Sequence, residues 1–225
     1  SDNHLHSVTA SLRSYIGSTG RADLLTALPY KRQRRQPPQR VLTLDECRKV
    51  LEAIPNNSRG KRDRAIFALH LDTGLRGFEL VSITLPDINL TNRTALVIRK
   101  GGAVGMVVFS EPTTKAIADW IDQRAGLGIK HRHLFCSLYR PHNPLTRYGL
   151  TMLYRRMAAK AKVEPFATHA PRRTMATEAA RAGAPLRILQ AQGGWRDADI
   201  VRRYTENISA EDFRPYAPML RLYNK

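Results

Sequence analysis

The sequence predicts a mostly helical α+β fold with a small antiparallel β-sheet. Apolar residues recur at helical spacing in several separate stretches, and two β-rich runs flank one glycine-rich turn near the middle of the chain. Glycine and proline fall mainly at the ends of those stretches, where they stop helices and start turns.

Taking the elements in order, Leu5, Val8, Leu12, Tyr15 and Ile16 share one face of a first helix that Gly17 and Gly20 break. One helix cannot bury a core alone, so this one needs the rest of the chain, another subunit or a further domain. Next comes a basic run from Lys31 through Arg32, Arg34, Arg35 and Arg40, with Pro37 and Pro38 inside it and no acid between Asp23 and Asp45. A proline-rich linker runs extended at ~3.1 Å per residue and can follow the edge of a duplex. A plain solvated linker and a localisation-type basic cluster share that composition. Residues 1–41 are therefore set apart from a compact part, 42–225.

The compact part begins at Thr43-Leu44-Asp45-Glu46, a capping box ahead of a stripe of Leu44, Cys47, Val50, Leu51 and Ile54, and Pro55 ends that helix. A second helix from about Lys61 to Thr73 stops at Gly74, which suits the left-handed residue after a helix, and Arg76 falls in the turn before the next helix. Strands are expected around Asp87–Leu90, Ala95–Lys100 and Met106–Phe109. Lys100 sits at the hairpin tip, and alternation turns Arg99 to the other face. Pro112 opens a helix lasting to about Gln123, with Gly126 as its stop. From Arg147 to about Lys162, Leu150, Leu153, Tyr154, Met157 and Ala161 form one face, while Arg155, Arg156, Lys160 and Lys162 lie largely elsewhere. After Thr168-His169-Ala170-Pro171-Arg172-Arg173-Thr174 come a helix, a break at Gly193-Gly194, then Trp195 and a short helix carrying Tyr204.

The net charge of +18, from 37 Lys and Arg against 19 Asp and Glu, makes a polyanion the natural partner. Cys47 and Cys136 are far apart and give no disulfide framework, which fits a reducing interior. No run approaches the ~18 apolar residues of a membrane span, and no signal-peptide core is visible. His131, His133, Cys136 and His142 are metal-ligand types, but their spacing matches no closed zinc site. No metal and no cofactor are expected.

The chemistry centres on Tyr204 behind a cluster of His169, Arg172 and Trp195. A phenol titrates near pH ~10, so about one molecule in a thousand is phenolate at neutral pH unless cations favour it. If the electrophile is a phosphodiester, charge builds on two non-bridging oxygens and needs fixed positive partners. Arginine is suited to that place because its planar fork stays protonated and can donate two parallel hydrogen bonds. Arg172 supplies one fork and Arg76 a second.

Together Thr73-Gly74-Leu75-Arg76 with Glu79 and Leu80, the hairpin Lys100, His169-x-x-Arg172, Trp195 and Tyr204 resemble the boxes of the tyrosine recombinases, the phage-integrase family, in their order and spacing. The resemblance covers roughly residues 42–210. It departs at Pro171, where the family usually has leucine, at Arg173, where it often has His or Lys, and at Gly193-Gly194-Trp195, where most members read Leu-Gly-His. Tryptophan donates one hydrogen bond but shuttles no proton, which leaves proton transfer to His169 and Lys100.

The resemblance implies a tyrosine-recombinase-like catalytic domain that cuts and rejoins double-stranded DNA through a 3′-phosphotyrosyl link on Tyr204. Arg76, Arg172, His169 and Trp195 would hold the non-bridging oxygens, Lys100 would protonate the leaving 5′ oxygen, and Glu79 would support the site. It implies that residues 1–41 are the tail of a core-binding domain, and that Lys31, Arg32, Arg34, Arg35, Arg40 and Arg173 contact DNA. It also implies a tetramer on two DNA sites, DNA-bending accessory proteins, a place with the nucleoid inside the host cell, and integration of phage or mobile-element DNA. A type IB topoisomerase-like enzyme would share the chemistry. A non-catalytic, sequence-specific DNA-binding protein would keep the scaffold and form no covalent adduct.

Overall fold

The computed structural model describes residues 2–27 and 40–195, and the chain divides into two compact units, Ser1–Gln39 and Arg40–Lys225. The basic run Lys31, Arg32, Arg34 and Arg35, and the nucleophile candidate Tyr204, lie outside the described residues.

In the first unit, helix α1 (Asp2–Ser18) is followed by a 3-10 helix, Ala22–Ala27, and Arg13 ties the two by donating from Nη1 to the Leu25 carbonyl at 3.3 Å. Within α1, Val8, Leu12 and Tyr15 are exposed. The helix runs through Gly17, one residue past the expected break.

The second unit opens on α2 (Leu44–Glu52). Its capping box closes as the sequence implies: the Glu46 N–H donates to Thr43 Oγ1 and the Thr43 N–H to Glu46 Oε2. The expected apolar stripe is corrected at one end. Leu44, as the first helical residue, is exposed, and the fully buried residue is Leu42, just before the cap. Leu42 and Cys47 then occupy the two positions of a hydrophobic staple, which fixes the entry of the chain into the core.

Helix α3 (Ser58–Thr73) starts three residues before the expected Lys61 because the Asn57 side chain caps it, accepting from the Gly60 N–H at 2.9 Å. It is the central element, packed against α5 (Glu111–Gly126) and α7 (Ala170–Arg181) and touching the sheet. Phe67 of α3 meets Tyr154 of α6 (Arg147–Ala161) edge-on and also packs on Phe166. Trp120 of α5 is fully buried and donates from Nε1 to the Leu134 carbonyl at 2.8 Å.

After α3, Gly74 takes the left-handed conformation (φ 57°) and α4 (Gly77–Ser82) follows at once. Three antiparallel strands come next in the order β1-β2-β3: β1 (Ile88–Asn89), β2 (Thr94–Ile98) and β3 (Val104–Val108). The β2–β3 register pairs Leu96 with Met106 and Ile98 with Val104. Ala95, Val97 and Val107 face the core, whereas Leu96, Ile98, Val104 and Met106 face outward.

The stretch expected as one helix before Gly193 is two, α7 and α8 (Leu186–Gly193). Gly183 at φ 84° supplies a left-handed stop, and Pro185 stands as the cap of α8. Between them lies a small separate core of Met175, Ala176, Leu189 and Trp195.

Candidate active site

Gly74 sets the first corner. Its positive φ lets the chain leave α3 sharply and favours glycine, and a Cβ there would displace the end of the Met175 side chain, whose Cε lies 2.2 Å from that position. Beside it, buried His70 receives Tyr154 Oη on Nδ1 at 2.6 Å and donates from Nε2 to the Leu75 carbonyl at 2.6 Å. Burial holds the His70 imidazole far down, to about 3, so it stays neutral and can keep both roles. The corner is fixed by groups that do not change charge near neutrality.

Arg76 follows as the cap residue of α4, where Glu79 grips it twice. The Arg76 N–H donates to Glu79 Oε2 at 2.8 Å and Nη1 to Oε1 at 2.9 Å. The Glu79 side chain is fully buried while that of Arg76 is 28% exposed, so the carboxylate acts from beneath and the guanidinium faces an open cleft. That cleft, of about 470 Å³, is lined among others by Arg76, Phe78, Arg147, Tyr148, Thr151 and His169. Arg147 and Tyr148 sit at the start of α6, whose cap is the Thr146 side chain accepting from the Gly149 N–H.

His169 is exposed at the start of α7. Desolvation, then the charges of Arg173, Arg172, Arg76 and Arg147, hold its imidazole below the ordinary histidine value. A neutral imidazole among four arginines can accept a proton.

Three residues on, Arg172 is 1% exposed. It donates to the Gly74 carbonyl and, from Nη2 at 2.8 Å, to the Gly193 carbonyl, with its guanidinium 4.3 Å from the centre of the Trp195 ring. Trp195 is itself 4% exposed. Arg172 therefore joins the Gly74 corner to the end of α8.

The hairpin holds a residue whose role sequence reasoning missed. Lys100 is exposed at the tip, as expected, but its neighbour Arg99 is the one turned toward the cluster. Arg99 Nη1 lies 3.4 Å from Glu79 Oε2 and 3.5 Å from the Gly193 carbonyl, and Nη2 donates to the Gln192 carbonyl at 3.1 Å. Burial lowers the Arg99 guanidinium from its ordinary value and Glu79 opposes that, while an arginine stays protonated regardless. A signal was present in Gly105, since a glycine inside a strand often marks a close approach, whereas Gly194 reads first as the left-handed stop of α8. A Cβ on Gly105 would lie 2.8 Å from Arg99 Nε, and one on Gly194 2.7 Å from Arg99 Cζ. Arg147, counted at sequence level only as the start of a helix, is the other cation of the cleft that was not singled out.

The structure thus joins Arg76, Arg99 and Arg172 through two shared acceptors, the Glu79 carboxylate and the Gly193 carbonyl, with Trp195 stacked on Arg172 and with His169 and Arg147 beside Arg76 in the cleft. Arg40 is engaged within the chain, pairing with Glu46 at 2.7 Å and with Glu164. Arg173 is partly buried, with Nη1 3.4 Å from the Arg40 carbonyl. Among the described residues no group of three or more His, Cys, Asp or Glu is placed to hold a metal ion. His131 and His142 are instead joined by a bond from ring to carbonyl at 2.7 Å. Both cysteines are free and buried, and burial pushes the Cys47 thiol up to about 12.

The chain is 34% identical over 185 residues to the tyrosine recombinase XerC 2 of Ralstonia nicotianae, covering 79% of this chain and 52% of that one. It therefore spans about half the length of that relative. Among solved structures, the Tn1549 transposon integrase in complex with circular intermediate DNA matches with a TM-score of 0.77 at 21% identity, over 99% of this chain and 80% of that one. The XerA recombinase matches with a TM-score of 0.71 at 22% identity, over 88% and 68%. These likenesses establish the mostly helical recombinase-type fold with its three-stranded sheet. The pattern of the phage integrase family matches residues 40–211, and the chain belongs to that family.

Proposed function

We propose that this chain is the catalytic part of a site-specific DNA recombinase that cuts and rejoins strands through a covalent 3′-phosphotyrosyl link. The observation that carries the reading is the cleft where Arg76, braced from below by buried Glu79, stands beside His169 and Arg147. A net charge of +18 and membership of the family support it.

In the proposed reaction the Tyr204 oxygen bonds to phosphorus as its proton passes to His169, which desolvation and then the surrounding arginines keep neutral beforehand. Arg76 takes the charge on the non-bridging oxygens. Arg172 joins it by exchanging the Gly193 carbonyl for a phosphate oxygen, and Trp195 donates its indole N–H. The bond from phosphorus to the 5′ oxygen breaks, and Lys100 gives that oxygen its proton. A 5′ hydroxyl from the partner duplex then attacks the phosphotyrosine and releases Tyr204. Bond energy is conserved in the link, so no nucleotide is consumed, and the cations do the work that metal ions do in many nucleases.

We assign the basic run Lys31, Arg32, Arg34 and Arg35, with Arg40 and Arg173, to the DNA backbone, and residues 1–41 to the tail of a DNA-clamping domain. Assembly of four chains on two sites, bending proteins and the integration of phage or mobile-element DNA follow from the family reading. The test is an SDS-stable adduct on nicked duplex in the presence of EDTA. Wild type forms the adduct and Tyr204→Phe does not; an adduct that persists in Tyr204→Phe, or that EDTA abolishes, rejects the mechanism.

A further inference from the structure

We infer that Arg99 is a positioning residue of this site: it anchors the tip of the β2–β3 hairpin to Glu79 and to the end of α8, and so places Lys100 against the leaving 5′ oxygen. The inference rests on Lys100 as the general acid.

The hairpin is tied to the rest of the domain at two heights. At its base the Gln192 side chain binds both backbone groups of Val108, accepting from the N–H at 3.1 Å and donating to the carbonyl at 2.7 Å. At the tip, beyond the last strand pair Ile98–Val104, the bonds from the Arg99 N–H to the Ala103 carbonyl and from the Gly102 N–H to the Arg99 carbonyl are internal to the turn. They shape it without holding it to anything. Gly101 and Gly102, at φ 90° and 83°, have open space around them, and Ile98 and Val104 face outward. Among the described residues, the tie from the tip to the body is the Arg99 side chain, 11% exposed.

Its acceptors suit a guanidinium. The Glu79 carboxylate lies between Arg76 and Arg99, and the carbonyls of Gln192 and Gly193 end a helix, where a cation is favoured. A planar fork reaches all three at once, which an ammonium cannot do with the same geometry. The glycines at 105 and 194 leave the space that fork occupies. The anchor and the proton donor are adjacent in sequence, so fixing one restricts the other. Without the anchor the turn keeps its shape, the tip swings, and Lys100 loses the orientation on which proton transfer depends.

The test uses the whole chain and two nicked duplexes, one with the ordinary 5′-oxygen leaving group and one with sulfur in that bridging position. A thiol with pKa ~8.5 leaves readily as its anion and needs no proton donor. Arg99→Ala should cleave the oxygen substrate on the order of 10²-fold slower than wild type and the sulfur substrate at close to the wild-type rate. Lys100→Ala should show the same pattern, and the double variant should be no slower than Lys100→Ala alone. Gly105→Ala displaces the guanidinium while Arg99 remains, and should give the same deficit, rescued by sulfur, should Arg99→Ala fail to fold. An equal loss on both substrates, or oxygen cleavage at the wild-type rate, overturns the inference. Wild type with no adduct on either substrate overturns the recombinase reading itself, an outcome distinct from both.

Discussion

The corner from Thr73 to Glu79 and the hairpin tip from Arg99 to Ala103 each present a cation to the proposed site, and they are built in opposite ways. At the corner every constraint is close in sequence or deeply buried: Gly74 in its left-handed turn, the His70 bond to the Leu75 carbonyl, and Glu79 reaching back to the Arg76 N–H. The tip has two glycines, an exposed lysine and, among the described residues, one long-range tie through Arg99. A rigid corner suits a residue that must meet charge at a fixed point. A tip oriented through a single side chain suits a proton donor whose direction, more than its own packing, decides its reach.

The comparison breaks most decisively at the two cations. Arg76→Ala should slow adduct formation by about 10²–10³-fold, as loss of a preorganised charge stabiliser does, and no sulfur leaving group should restore it. Lys100→Ala should lose a similar factor on the oxygen substrate and leave urea unfolding unchanged, because its side chain is exposed. A sulfur rescue of Arg76→Ala, or a folding defect in Lys100→Ala, would erase the distinction between corner and tip.

The same contrast governs what could be read in the sequence. The corner was legible because its chemistry is local: a glycine after a helix, then an arginine, then an acid three residues on. The capping box at Thr43 was legible for the same reason. Leu44 was misread because the apolar stripe was started at the first helical residue, while the chain buries Leu42 instead. Arg99 was placed by alternation on the face away from Lys100, but nothing local said that this face holds Glu79 and the end of α8, which lies 93 residues away at Gln192. Gly183 and Pro185 mark the break between α7 and α8, but in the sequence the adjacent pair Gly193-Gly194 is the stronger stop and masks them.

Stability gives the next separation. Glu79 is fully buried beneath Arg76 and Arg99, so Glu79→Ala strands two cations and should cost about 3 kcal/mol, read as a lower urea midpoint. Gly74→Ala should cost less, on the order of 1–2 kcal/mol, for a left-handed backbone in a residue with a Cβ. The clash with Met175 adds to that cost, and Met175→Ala in the same chain should relieve only the clash. An unaffected Gly74→Ala variant would mean that the corner is not rigid.

Near neutrality the smallest effect is a slope with pH. His70 has its folded value depressed from 6.5 to about 3, so between those limits the unfolded chain binds the proton that the folded chain excludes. The stability this neutral histidine provides is complete above pH 6.5 and declines as pH falls toward 3. The decline from this group should reach at most ~1.4 kcal/mol per pH unit. His70→Gln cannot take up that proton, and its amide can still donate toward the Leu75 carbonyl. Its urea midpoint should lie below wild type at neutral pH and converge on it as the solution is acidified. Parallel curves from pH 7 to 4.5 would place the acid sensitivity elsewhere and leave the corner's rigidity to Gly74 and Glu79 alone.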